Sequence, residues 1–285
     1  MEFPSPQLSS AVQSAAQALG VQAPTEVQSR TQEAILQGRD VWVCAPTGSG
    51  KTLAYALPLM EAARQGVARG SNRALLASTL ILVPTRELAV QVGEVFKSLA
   101  ARLPYAVKVT VIFGGVSIAT QLRGLRSGTH IVVATPGRLL DVMAHHALSL
   151  SALHTLVLDE ADRLMDQGFA QELQAVMAHV PLQCQKLLFS ATFAPAVKGW
   201  ADTLLTDPVR MDFQLSVSMQ AEIAQRAFLV ETGSRTRLLR HLIATQAWSR
   251  VLVFVATQFA AEIVADKLRK ASLRAEPLHG RLSQG

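Results

Sequence analysis

The eight residues Ala45-Pro46-Thr47-Gly48-Ser49-Gly50-Lys51-Thr52 lie between an apolar run, Asp40–Cys44, and the helix-forming stretch LAYALPLM. In such a segment glycines let backbone N–H groups turn inward on phosphates, a lysine ammonium reaches the outer phosphates, and a hydroxyl can bind Mg²⁺. The generic pattern opens on glycine where this chain has Ala45, so it is met with one substitution. A ligand-free glycine turn is the plain alternative, and the strand-loop-helix setting disfavours it. A second constellation is Leu156-Val157-Leu158-Asp159-Glu160-Ala161-Asp162. An apolar strand ending in adjacent carboxylates places them at the carboxyl edge of a parallel sheet, where ligands of such sheets bind. There Asp159 can hold Mg²⁺ and Glu160 can polarise an attacking water. Acidic residues also suit a helix N-terminus for purely structural reasons, but beside a phosphate loop the chemical reading is the stronger.

Those residues need elements to hold them. Short β-branched and apolar runs recur at Asp40–Cys44, Thr79–Val83, Val107–Phe113, His130–Ala134, Thr155–Leu158 and Lys186–Phe189. Amphipathic segments separate them, such as Arg86–Ala101 with Leu88, Val92, Val95, Phe96 and Leu99 at helical spacing. The alternation predicts βαβ units: an α/β fold with a parallel sheet and helices on both faces. Residues 64–78, with two glycines and three arginines, read as a surface loop. A first domain is expected over residues 1–210, a linker over 211–222 and an incomplete second α/β domain over 223–285. The second would contain strands at Ala227–Val230, Val251–Ala256 and Ala275–Leu278 and helices at Ser234–Thr245 and Gln258–Ala271.

Composition sets the outer bounds. With 285 residues, 49% hydrophobic and 17% charged, the chain has ample material for a core and is neither disordered nor disulfide-stapled. Mean hydropathy is +0.26, yet no apolar run reaches the ~18 residues of a membrane span. The N-terminus has no signal-peptide pattern and the two cysteines form no metal or framework spacing, so a cytoplasmic location is expected. The formal charge of +6 is unevenly placed: residues 1–213 contribute +1 and residues 214–285 contribute +5. Basicity therefore says little about the first domain. His145, His146, His154 and His179 lack partners at metal spacing, and the three tryptophans are too dispersed for a stacking platform.

Asp159-Glu160-Ala161-Asp162, together with the phosphate loop, resembles the DEAD-box RNA helicases of superfamily 2, and other motifs of that family follow in order. Residues 20–28, GVQAPTEVQ, resemble the Q motif, with Phe3 seventeen residues ahead of Gly20. Pro84–Ala89, then Gly114-Gly115, then Thr135-Pro136-Gly137-Arg138 resemble the RNA-contacting motifs of the first domain. Ser190-Ala191-Thr192 resembles the motif that links hydrolysis to strand separation, and Leu278–Gln284 resembles the opening of a second RecA-like domain. The stretch from Phe189 to Met211 points to the bacterial RhlE-like branch.

The resemblance implies a RecA-like fold, ATP and Mg²⁺ as cofactors, and ATP-dependent RNA unwinding or RNP remodelling. Phe3, Thr25, Gln28, Thr47, Gly48, Ser49, Gly50, Lys51, Thr52, Asp162, Ser190 and Thr192 would bind the nucleotide, Phe3 stacking on adenine and Gln28 reading its edge. Thr52 and Asp159 would hold Mg²⁺, partly through water; Lys51, Asp159 and Glu160 would be catalytic. Thr85, Arg86, Gly114, Gly115, Thr135, Pro136, Gly137 and Arg138 would grip the RNA backbone largely without regard to base sequence. RNA is the expected partner, with ribosome-assembly or RNA-degradation proteins as candidates beside it and no membrane. No T-D-x-x-x-R-G or H-R-x-G-R-x-G-R sequence occurs in the chain. Without these arginine-finger motifs the 285 residues alone are expected to be weak or inactive, a nucleotide- and RNA-binding fragment. A DNA translocase of the same superfamily is the more distant alternative.

Overall fold

The computed structural model describes residues 7–68, 77–166, 168–192, 195–213 and 224–282. Phe3 and the greater part of the expected linker, residues 214–222, lie outside them, as do residues 69–76 of the expected loop. The chain divides into two compact units, Met1–Gln220 and Ala221–Gly285.

The first unit is a parallel sheet wrapped by helices. Its elements run α1 (Ser10–Gln17), α2 (Glu26–Leu36), β1 (Val41–Cys44), α3 (Lys51–Ala68), β2 (Thr79–Leu82), α4 (Arg86–Ala100), β3 (Val109–Ile112) and α5 (Ile118–Leu125). They continue with β4 (Ile131–Ala134), α6 (Pro136–Ala144), β5 (Thr155–Leu158), α7 (Ala161–Asp166), α8 (Ala170–Met177), β6 (Gln185–Ser190), α9 (Pro195–Leu204) and β7 (Val209–Asp212). The strand order is β3-β4-β2-β5-β6-β1-β7, every pair parallel. Because successive side chains point to opposite faces, a fully covered strand must be apolar throughout. β1, β2, β4 and β5 are buried at all four positions. Ile81, Val133, Val157 and Phe189 pack on one face with α1–α4; Leu80, Val132, Leu156 and Leu158 pack on the other with α6–α8.

Two expectations change here. The segment expected to be a loop from residue 64 begins as helix: α3 runs on to Ala68. The expected domain end at 210 falls inside β7, which pairs with β1 in the register Val41↔Val209 to Cys44↔Asp212. Phe213 N–H then donates to the Cys44 carbonyl at 2.8 Å, and Met211 and Phe213 are buried. Val-Arg-Met-Asp has too many charges to read as a buried strand. It is an edge strand with one face outward, and Arg210 covers the Trp42 ring at 4.9 Å.

α1 is tied to α3 by a buried acid. Glu61, with its side chain 5% exposed, accepts from Ser9 N–H at 2.9 Å, Ser9 Oγ at 2.6 Å and Arg64 Nε at 2.6 Å. Burial pushes the carboxyl pKa up, but the Ser9 and Arg64 hydrogen bonds outweigh it and the net shift is downward. A depressed folded pKa stabilises the fold above the unfolded value of about 4.3 and loses that contribution as pH falls through the folded value. Acid melting curves should therefore drop below pH ~4.3, and Glu61→Gln should flatten that limb. An unchanged acid limb in the variant would show that Glu61 does not contribute.

In the second unit α10 (Arg235–Thr245), preceded by a 3-10 turn at Thr232–Ser234, and α11 (Gln258–Arg269) form where helices were expected. The three expected strands do not: among the described residues of this unit no ladder pairing occurs. Leu229, Leu252, Phe254 and Leu278 are exposed. A strand exists only through hydrogen bonds to a neighbour, so extended apolar segments without paired neighbours remain unassigned chain. Among the described residues no helix is long and apolar enough to cross a membrane.

Candidate functional site

β5, β6 and β1 are neighbours in the sheet, so the segments leaving their carboxyl ends converge. From β1 comes the loop Ala45–Gly50, from β5 the pair Asp159-Glu160, and from β6 the triplet Ser190–Thr192. Gly48 and Gly50 have φ of +82° and +91°, a region open to glycine at little cost. A Cβ on Gly50 would also stand 2.5 Å from Gln28 Nε2. The loop feeds directly into α3, so its last amides and the positive end of the helix face the same space.

Lys51 donates to the carbonyls of Ala45 at 2.6 Å and Pro46 at 3.1 Å. Burial lowers its pKa, while Asp159, Glu160 and Asp162 pull it back up. Two of its three N–H donors thus shape the loop and one is left for a ligand. Thr25 and Gln28 form a capping box at the start of α2. The same two side chains reach the phosphate loop: Thr25 Oγ1 donates to Ser49 O at 2.9 Å and Gln28 Nε2 to Gly50 O at 3.2 Å. Gln28 Oε1 accepts from Thr25 N–H at 3.0 Å, which leaves one amide hydrogen and one lone pair on a side chain that is 4% exposed.

Asp159 is buried, and burial raises its pKa. Opposing that are the Tyr55 hydroxyl, donating to Oδ2 at 2.7 Å, the Glu160 N–H, donating to Oδ1 at 2.9 Å, and the Lys51 charge. Glu160 adopts φ +50°, a left-handed conformation rare for its type, and pairs with Arg163 at 3.1 Å. Thr192 Oγ1 donates to Asp162 Oδ2 at 3.4 Å, and Ser190 Oγ donates to the Thr192 carbonyl at 2.8 Å. The carboxylate and hydroxyl-bearing segments thus meet as the sequence suggested. Asp159, the Thr52 hydroxyl and the buried, unbonded Ser49 Oγ are hard oxygen donors, a set that suits Mg²⁺. No cluster of three or more His, Cys, Asp or Glu that could cage a metal occurs among the described residues.

The other half of the sheet, β3-β4-β2, carries the second group of expected residues. Thr85 caps α4, accepting from Leu88 N–H at 3.2 Å, and Pro136 opens α6. Thr135 stands at the N-cap of α6 without a side-chain cap bond, and Gly137 follows in its first turn. Gly114 and the exposed Gly115 form the loop after β3. The two arginines of this group are largely covered and each has a carboxylate partner. Arg138, 13% exposed, pairs with Asp141 at 3.3 Å and donates to the Val116 carbonyl at 3.0 Å. Arg86, 22% exposed, pairs with Glu87 at 2.9 Å, and its Nη1 lies 2.9 Å from where a Cβ on Gly115 would be. Arg138 braces the Gly114–Val116 loop through the Val116 carbonyl, and Arg86 lies against Gly115.

Sequence reasoning passed over Tyr55 and Arg163. Tyr55 had a signal: four residues beyond Lys51, it must share that residue's helix face.

The model of the DEAD/DEAH box helicase family matches residues 25–199. ATP-dependent RNA helicase DeaD of Buchnera aphidicola subsp. Baizongia pistaciae is 35% identical over 284 residues, which is 100% of this chain and 46% of that protein. DEAD-box ATP-dependent RNA helicase CshA of Geobacillus kaustophilus is 34% identical, covering 97% of this chain and 57% of its own length. A DEAD box protein from the hyperthermophile Methanococcus jannaschii superposes with a TM-score of 0.68 at 30% identity, over 100% of this chain and 74% of that one. The chain spans about half the length of the curated relatives it matches. With the parallel sheet, the glycine-lysine loop and Asp-Glu-Ala-Asp all at the matched positions, the chain belongs to the DEAD/DEAH box helicase family.

Proposed function

We propose that this chain is the nucleotide-holding and RNA-gripping part of an ATP-dependent RNA helicase. The observation that carries the reading is the meeting of the Lys51 loop, Asp159-Glu160 and Ser190–Thr192 at the ends of three adjacent strands. ATP would lie along Thr47–Thr52, its outer phosphates facing Lys51 and its base toward Gln28 and Phe3. The remaining amide hydrogen and lone pair of Gln28 match the acceptor and donor on the adenine edge. Thr52 and Asp159 would hold Mg²⁺, which when bound offsets phosphate charge. Glu160 orients the attacking water, and Thr192, bonded to Asp162, carries the state of the site to the rest of the domain. Thr85, Arg86, Gly114, Gly115, Thr135, Pro136, Gly137 and Arg138 would hold the RNA backbone through hydroxyls, backbone amides and guanidinium groups, with Arg138 also bonded to the Val116 carbonyl of that surface. The stretches Phe189–Met211 and Ser249–Gln258 support placement in the RhlE-like branch; a cytoplasmic location and ribosome-assembly or RNA-degradation partners belong to the same reading.

A second reading is that these 285 residues bind ATP and RNA with little turnover. It is favoured by the extended segments of the second unit, which pair with no strand among the described residues, and the 285 residues carry no arginine-finger sequence. An arginine finger contributes about 10³–10⁵ in rate in related phosphoryl transfer. Steady-state ATPase of the chain, with and without single-stranded RNA, separates the two. The expected result is nucleotide binding with slow, RNA-indifferent hydrolysis; strong stimulation by RNA would overturn the fragment reading. Competition with single-stranded DNA of equal length tests the RNA preference, and equal binding of both would count against it.

A further inference from the structure

Tyr55 sits one turn beyond Lys51 on α3 with no exposed surface. Its ring centroid lies 5.1 Å from that of Phe189 on β6 and 6.2 Å from that of Phe96 on α4. Packed on both sides, the ring has no room to turn away, and the core itself determines where the hydroxyl stands. That hydroxyl donates to Asp159 Oδ2 at 2.7 Å while the Glu160 N–H donates to Oδ1 at 2.9 Å. One donor on each oxygen holds the carboxylate plane still and leaves each oxygen a further lone pair. The phenol thus touches Asp159, the carboxylate through which this chain would hold Mg²⁺. A position with only a packing role would be filled equally well by phenylalanine, since a buried hydroxyl repays its desolvation only where it finds a partner.

We propose that Tyr55 is a positioning residue for the metal: its hydroxyl presets the Asp159 carboxylate before Mg²⁺ arrives. The inference rests on the ATP–Mg²⁺ reading above. Groups that orient metal ligands typically change metal affinity by about 10–100-fold, and Tyr55→Phe removes the hydroxyl alone. Mg²⁺ is titrated into the 285-residue chain with a fluorescent, non-hydrolysable ATP analogue, and binding is followed by fluorescence. The variant should need about 10-fold more Mg²⁺ for half-saturation, with analogue affinity in EDTA unchanged. If Mg²⁺ does not strengthen binding in the unaltered chain, the ATP–Mg²⁺ reading falls and this inference with it. If it does, and the variant has the same half-saturation, the role of Tyr55 alone is overturned. A measurement on the unaltered chain stands independent of how the variant folds. The chain has two tyrosines, and with ring-labelled tyrosine the Tyr55 resonance should move when Mg²⁺ joins the analogue while that of Tyr105 does not. A stationary Tyr55 resonance would overturn the proposal.

Discussion

Replacing Lys51 by alanine should weaken ATP binding by about 100-fold, equivalent to about 2.7 kcal/mol. Charged hydrogen bonds contribute about 1.5–3 kcal/mol each, and the ammonium is the cation that the loop itself supplies to the outer phosphates. The Ala45 and Pro46 carbonyls it now binds show why the effect should exceed one lost contact. Without the ammonium those carbonyls face the phosphate space directly and repel the ligand. The burial that lowers the Lys51 pKa is opposed by the charges of Asp159, Glu160 and Asp162. Isothermal titration with ATP and Mg²⁺, on protein checked for an unchanged melting transition, gives the number directly. An affinity within about threefold of the parent, under 0.7 kcal/mol, would remove Lys51 from the phosphate site.

How far the sequence reached can be traced element by element. The six strands expected in the first unit all form, four of them, β1, β2, β4 and β5, as apolar runs buried on both faces, a pattern with few alternative explanations. β7 escaped notice because edge strands need only half of that pattern, and Arg210 and Asp212 break the other half. In the second unit the helices were recoverable, since an α-helix satisfies its own backbone. Thr257 illustrates this, its side chain accepting from Ala260 N–H at 3.1 Å. Val251–Ala256 has the composition of a strand, but composition cannot supply a neighbour to pair with.

The site divides along the same line. Backbone-dependent features were readable: positive-φ glycines, a lysine at a helix start, carboxylates at a strand end. Side-chain commitments were not, because they depend on which groups the fold brings within reach. Arg138 reads as a phosphate grip, and the fold also sets Val116 O and Asp141 beside it. Gln28 looked like a base reader, and the fold gives it the further task of holding Gly50. Tyr55, which sequence reasoning passed over, ends its hydroxyl on Asp159.

Glu160→Gln should leave ATP affinity nearly unchanged and lower hydrolysis by about 10²–10⁴-fold, the usual contribution of a general base. Glutamine is the informative choice for a geometric reason. Glu160 holds φ +50°, a conformation that glycine would relax, whereas glutamine meets the same strain as the native residue and keeps the same length. Its N–H bond to Asp159 Oδ1 is a backbone contact and survives the change, so the Asp159 carboxylate should stay in place. What is lost is the negative charge that orients and polarises water, together with the ion pair to Arg163. That pair joins a residue 24% exposed to one 61% exposed, and surface pairs of this kind contribute about 0–1 kcal/mol. Its loss is therefore too small to account for a collapse in rate. Single-turnover hydrolysis with protein in excess over labelled ATP reads even slow chemistry and separates it from binding. Turnover equal to that of the native chain would take the water-positioning role away from Glu160, and a parallel loss of affinity would place the residue in ground-state binding instead.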